Sequence, residues 1–212
     1  MNIIEEFKTV RKEMSAELVE KKSRFIATMR PVGSEEEALA FVAEMKKKYW
    51  DARHNCSAYL VLDGQEKITE KCNDDGEPSR TAGSPMLEVL KGAGLANVAV
   101  VVTRYFGGIL LGTGGLVRAY SGAVSEAIEA ADIVTMKLMN RVIVATDYNG
   151  YGRLQYFASN DGFKITDTDF SDTVRAIVLC DDIQLGSLTK KMTDATAGKC
   201  SIEIQGKDFC EI

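Results

Sequence analysis

The chain has 212 residues, enough for one large or two small domains with a buried core, and an ordinary globular composition. Its net charge of −5 supplies no global field for nucleic acid, so any such contact needs a local basic patch. Five cysteines (Cys56, Cys72, Cys180, Cys200, Cys210) form an odd set without a Cys-x-x-Cys pair, and His54 is the single histidine, which argues against a disulfide framework, a zinc site and a histidine-rich metal site.

No apolar run approaches the ~20 residues that span a bilayer, and the N-terminal MNIIEEFKTVRKEM is too charged for the apolar region of a signal peptide. The protein is therefore read as cytoplasmic, with no membrane partner. Strands are expected over Met14–Val19 and Arg24–Pro31, joined by the basic turn Lys21-Lys22-Ser23-Arg24. Ser34 and Glu37 form a capping box that opens a helix, whose core stripe is Ala38, Phe41, Val42, Met45 and Tyr49. Lys46-Lys47-Lys48 sits at the C-terminal end of that helix, where cations suit its dipole.

Ser57–Leu62 reads as a strand with Arg53, His54 and Asn55 at its start. His54 is the only ordinary general base, but no serine or cysteine motif pairs with it, and Cys56 is placed on the other face of the strand. A hydrogen-bonding role is the alternative for this histidine. Asp63-Gly64 turns the chain into a second strand, Lys67–Lys71. The following NDDGEPSRTAGSP brings Asp74, Asp75 and Glu77 close together, a set of oxygen ligands suited to a hard cation, or else an ordinary turn. Arg80 and Thr81 precede a helix over Met86–Lys91, with Pro85 in its first turn, and suggest an anion-binding helix start.

The central stretch is AVVVTRYFGGILLGTGGLVRAYSGAV. The apolar run Val98–Val102 predicts a strand buried on both faces. Thr103 and Arg104 end it, Tyr105 and Phe106 follow, and then come Gly107, Gly108, Gly112, Gly114 and Gly115. Glycines between a strand and a helix allow positive φ and close backbone approach, and a helix start offers unpaired N–H groups. With Arg104 at the strand's end and Arg118 in the helix's expected first turn, this is the layout of an anion-binding site. It is neither a Walker loop nor a GxGxxG fingerprint. Leu116, Ala119, Tyr120, Ala123, Val124, Ala127, Ile128 and Ala131 mark the core stripe of the helix.

From about residue 140 the pattern changes. Strands are expected at Arg141–Asp147, Phe163–Phe170, Thr173–Cys180 and Cys200–Lys207, and helices at Tyr151–Asn160 and Ile183–Ala195, with Ile183, Leu185, Leu188 and Met192 apolar. This βαββαβ order is ferredoxin-like. Its eight Lys/Arg against eleven Asp/Glu, counted from Arg141 onward, make it a weak candidate for gripping nucleic acid alone.

The segments KKSRF, RHNCSAY, NDDGEPSRTAG and VVTRYFGGILLGTGGLVRAY together resemble the IMPACT family, in its bacterial branch. The resemblance covers essentially the whole chain. It implies an α/β (α+β) protein of two domains: residues 1–137, similar to ribosomal proteins and to domain IV of elongation factor G, and residues 138–212, ferredoxin-like. Eukaryotic members of the family restrain a starvation-response kinase by competing for its ribosome-associated activator. That role rests partly on an RWD domain with no counterpart in these residues.

The leading expectation is a non-enzymatic, translation-associated regulator that binds RNA, the ribosome or a ribosome-bound factor without a cofactor. Its site comprises Arg80, Thr81, Arg104, Tyr105, Phe106, Gly107, Gly108, Gly112, Gly114, Gly115 and Arg118, with Arg53, His54, Asn55, Asp74, Asp75 and Glu77 as a second tier. Two alternatives stand beside it. One is a magnesium-dependent enzyme acting on a phosphate compound, its metal held by Asp74, Asp75 and Glu77. The other is a protein-interaction surface on the acidic C-terminal part.

Overall fold

The apolar run Val98–Val102 occupies the middle of a five-stranded sheet in the computed structural model, which describes residues 4–64 and 67–212. The chain forms two compact units, one running up to Met136 with Ile212, the other Lys137–Glu211.

In the first unit the elements are β1 (Glu6–Val10), β2 (Met14–Glu20), β3 (Ser23–Pro31), α1 (Glu35–Lys48), β4 (His54–Asp63), β5 (Lys67–Asn73), α2 (Gly83–Gly92), β6 (Val98–Tyr105) and α3 (Gly112–Ala130). The sheet order is β2-β3-β6-β4-β5, antiparallel throughout. Side chains alternate along β6, and both faces are covered. Val98, Val100 and Val102 meet Met86 and Leu90 of α2 and the Leu116–Ala127 stripe of α3. Ala99 and Val101 meet Ala38, Phe41 and Met45 of α1. Two covered faces explain why β6 is a continuous apolar run rather than an alternating one.

Local rules account for the element ends. Ser34 caps α1 by accepting from the Glu37 N–H, while the Glu37 carboxylate reaches the Gly33 N–H rather than that of the cap. Strands β2 and β3 are joined by the two residues Lys21 and Lys22 alone, both left-handed (φ 45° and 68°), as a two-residue hairpin turn requires. Helix α3 begins at Gly112, earlier than the glycine content suggests, so Gly112, Gly114 and Gly115 belong to the helix and Arg118 to its second turn. Strand β1 was not anticipated, because its EFKTV sequence is short and two of its five residues are charged.

The second unit follows with β7 (Ile133–Thr146, which begins in the first unit), α4 (Tyr148–Asp161), β8 (Lys164–Phe170), β9 (Val174–Cys180), α5 (Asp182–Ala195) and β10 (Ser201–Glu211). Its sheet order, β8-β9-β7 with β10 beside β7, is the ferredoxin-like arrangement. Its core holds Val142, Val144, Leu154, Val178, Leu188 and Met192. Gly162, left-handed at φ 75°, ends α4, and Asp181 with Gln184 forms a capping box on α5. Ile183 is exposed rather than part of the α5 stripe, since residues two apart from Leu185 do not share a helix face.

The closest backbone approach in the first unit is at Gly107. A Cβ there would overlap the Lys22 carbonyl group and the Ser23 nitrogen. Gly107→Ala is therefore expected to lower stability by about 2 kcal/mol or more. Gly114→Ala, which meets only the tip of the Arg118 side chain, is expected to be neutral or to gain up to about 1 kcal/mol from helix propensity. Urea denaturation of the two variants beside the parent chain checks the contrast.

Candidate functional site

One end of the first unit gathers most of the residues singled out in the sequence. Antiparallel pairing sets Phe25 of β3, Arg104 of β6 and His54 of β4 in one row across the sheet. Partners in such a row share a face. The row therefore lies on the α2/α3 side, one step beyond Ala27, Val102 and Cys56. Cys56 thus shares a face with His54, contrary to the sequence reading, because residues two apart on a strand point the same way.

Arg104 is 93% buried, with a relative exposure of 7%. Its Nη1 donates to Glu77 Oε1 at 2.6 Å, and the Tyr120 hydroxyl donates to the same oxygen at 2.7 Å. The Tyr120 ring packs edge-on against Phe25, with centroids 5.1 Å apart. The guanidinium lies 5.4 Å from the Phe25 ring centroid and 5.6 Å from that of Phe106, within cation–π range of both. Arg104 Nε is buried without a hydrogen-bond partner among the described residues. Below it the Cys56 thiol donates to the Asp74 carbonyl at 3.0 Å and lies 3.4 Å from the Tyr120 oxygen. Burial, together with the nearby carboxylates, pushes the Cys56 thiol up to about 12. Burial, with Cys56 and Glu77 adjoining, drives the Tyr120 hydroxyl far above the ordinary phenol range. Both are hydrogen-bonding groups here rather than nucleophile or acid.

The three clustered carboxylates diverge. Asp74 accepts from the backbone N–H groups of Arg80, Ala82 and Gly83, at 2.7, 3.1 and 2.8 Å. The N-terminus of α2, anticipated as an anion site beside Arg80 and Thr81, is therefore occupied by the chain's own carboxylate. Thr81 is buried with its hydroxyl on the Pro78 carbonyl, while the Arg80 side chain is exposed. Asp75 takes the Asn55 N–H at 2.7 Å and Lys46. Glu77 holds Arg104 and Tyr120. Among the described residues no group of three or more His, Cys, Asp or Glu is arranged to hold a metal ion. Asp75, Gly76 and Arg80 all adopt positive φ, so this loop stores backbone strain.

His54 Nδ1 lies 2.9 Å from the Asp75 carbonyl oxygen. A carbonyl only accepts, so Nδ1 carries a proton, and Nε2 has no protein partner among the described residues. Asn55 turns to the opposite face, where its Oδ1 receives the buried Thr103 hydroxyl. Tyr105 donates to Asp51 at 2.8 Å and carries Arg24 over its ring, which removes it from the α3 side.

Arg53, His54, Arg104, Phe106 and Leu110 line a hollow of about 180 Å³. The glycine loop forms one wall. The Gly107 N–H donates to Ser23 Oγ at 3.1 Å, Gly108 holds φ 85°, and the loop exposes Phe106 (47%), Ile109 (42%) and Leu110 (83%). Ile109 and Leu110 were not anticipated as surface residues; their signal is two large apolar residues between glycines, outside any helical period. Trp50, 82% exposed just beyond α1, also went unremarked. Of the first unit's seven arginines, Arg11, Arg24, Arg30 and Arg104 engage carboxylates. Arg53, Arg80 and Arg118 engage none among the described residues. Arg118 folds back toward Gly114 in the first turn of α3.

An all-antiparallel α/β unit with a glycine loop and an arginine-bearing hollow at one end, followed by a ferredoxin-like unit, defines a two-domain class of protein. Residues 21–128 match the Impact N-terminal domain, and residues 144–199 match a domain of unknown function, DUF1949. The chain is 41% identical to the IMPACT family member YvyE of Bacillus subtilis (strain 168) over 92% of its length and 89% of that protein's. It is 33% identical to the IMPACT family member YigZ of Escherichia coli (strain K12), over 86% of its length and 89% of that protein's. A crystal structure of a hypothetical protein superposes with a TM-score of 0.63 at 30% identity, covering 94% of this chain and 97% of that one. The chain belongs to the IMPACT family. No helix among the described residues is long and apolar enough to cross a membrane.

Because Asp74 satisfies three backbone donors at the α2 start, Asp74→Ala is expected to cost about 2 kcal/mol in denaturant unfolding. Thiol labelling of the folded protein at pH 8 is expected to modify exposed Cys72 readily and to leave Cys56, buried and held protonated, untouched.

Proposed function

We propose that this protein is a non-enzymatic, translation-associated regulator that binds structured RNA or the RNA surface of the ribosome through the Arg104 end of its first unit. The observation that carries this reading is that Arg53 and Arg104 line one hollow with the exposed ring of Phe106, while Arg53, Arg80 and Arg118 engage no carboxylate among the described residues, in a chain whose net charge is negative. Unpaired guanidinium groups suit phosphate oxygens, and an exposed ring suits an unstacked base. Membership of the IMPACT family supports the link to translation, through the role that the resemblance attaches to eukaryotic members. In this reading residues 1–137 and 138–212 act as separate domains, and the first carries the contact.

A magnesium-dependent enzyme draws no support from Asp74, Asp75 and Glu77, each of which is occupied by donors of the protein itself. A ribosome-bound protein is the other partner compatible with Ile109 and Leu110, and salt dependence separates the two.

Co-sedimentation with purified ribosomes tests the reading. Affinity is expected to fall roughly tenfold or more between 50 and 200 mM salt, as displacement of counterions from about three phosphates requires. The double variant Arg53→Ala/Arg118→Ala, altered only at exposed side chains, is expected to pellet weakly even at low salt. Pelleting that ignores salt points to a protein partner, and no pelleting at all removes the reading.

A further inference from the structure

We infer that the hollow beneath Phe106 is a pocket for a single phosphomonoester group, such as the 5′-terminal phosphate of an RNA or nucleotide. The inference rests on the reading of this end as an anion-binding surface and names the group that it recognises.

Size is the first argument. At about 180 Å³ the hollow is small. That suffices for one polar group but falls short of the roughly 300–1,000 Å³ of a pocket that encloses a drug-sized ligand. A terminal group therefore enters while the rest of its molecule stays outside.

Donor chemistry is the second. Arg104 forms part of the wall, is 93% buried, and has an Nε–H with no partner. A buried donor left unsatisfied is costly, so a ligand oxygen that reaches it gains from pairing with it. Glu77 balances the charge of Arg104, so the attraction for an anion comes from Arg53, which lines the hollow, is exposed and engages no carboxylate among the described residues.

His54 then separates a monoester from a diester. Its Nδ1–H is committed to the Asp75 carbonyl, so Nε2 is the ring nitrogen left for a ligand. A diester in the RNA chain has no proton to give. A phosphomonoester has an ionisation near pH 6 and three terminal oxygens. One proton shared between His54 Nε2 and a phosphate oxygen satisfies both, leaving two oxygens for Arg104 Nε and Arg53. Phe106, half exposed over the Arg104 guanidinium, stands at the mouth where the first base can stack.

His54 is the only imidazole in the chain, so its ring proton NMR signals report on this pocket without mutation. The probes are uridine 5′-monophosphate, uridine, and two RNA oligonucleotides of one sequence bearing a 5′-phosphate or a 5′-hydroxyl. Uridine monophosphate is expected to shift the His54 signals while uridine leaves them in place, and Arg53→Ala is expected to weaken that binding roughly tenfold. Preference for the 5′-phosphorylated oligonucleotide supports the pocket and assigns it to RNA ends. Binding of the mononucleotide with neither oligonucleotide bound upholds the pocket for free nucleotides and overturns the RNA reading instead. His54 signals unmoved by uridine monophosphate, with the two oligonucleotides bound equally or not at all, overturn the pocket.

Discussion

A buried ion pair between Arg104 and Glu77 holds this end of the protein together. It joins the last turn-facing residue of the central strand β6 to the loop after β5, and through the Tyr120 hydroxyl it reaches helix α3. These segments are separated by 27 and 43 positions in the chain. Burying two charges is unfavourable by itself, and removing one partner commonly costs about 3–5 kcal/mol because the other is left uncompensated. The edge-on contact of Phe25 with Tyr120 and the placement of Arg104 between two phenyl rings fill the space around the pair.

The surrounding features follow from that anchor. Once Glu77 is drawn inward, Asp74 falls at the start of α2 and Asp75 at the start of β4, where each meets backbone donors. The loop between them is strained, with left-handed Asp75 and Arg80, and its carbonyl at Asp75 fixes the tautomer of His54. On the other side, Gly107 rests on the Lys21–Lys22 turn and leaves Phe106, Ile109 and Leu110 turned outward. The acidic residues thus serve the fold, and the groups left for a ligand are Arg53, the free edge of His54, Arg104 Nε and the loop.

Periodic features were legible in the residues alone. The Leu116–Ala131 stripe, the all-apolar β6 and the βαββαβ order of the second unit depend on local spacing, and each is found in the fold. The residues that gather at this end of the first unit were legible as a list but not as a set of contacts. That Glu77 pairs with Arg104, and that Asp74 caps a helix nine positions downstream, depends on long-range register. The glycines of α3 read as loop because their low helix propensity outweighs, on paper, the tertiary packing that extends the helix to Gly112. Trp50 and Leu110 went unnoticed because a large apolar residue is assigned to the core by default.

The most direct test of the role given to the buried pair compares Glu77→Gln with the double variant Arg104→Met/Glu77→Gln by urea denaturation, together with ribosome co-sedimentation. The single variant is expected to lose about 3 kcal/mol or more, while the double variant recovers most of that loss, since no charge is then left unpaired, yet fails to bind. A double variant as unstable as Glu77→Gln or more so, or one that binds like the parent chain, would contradict the account.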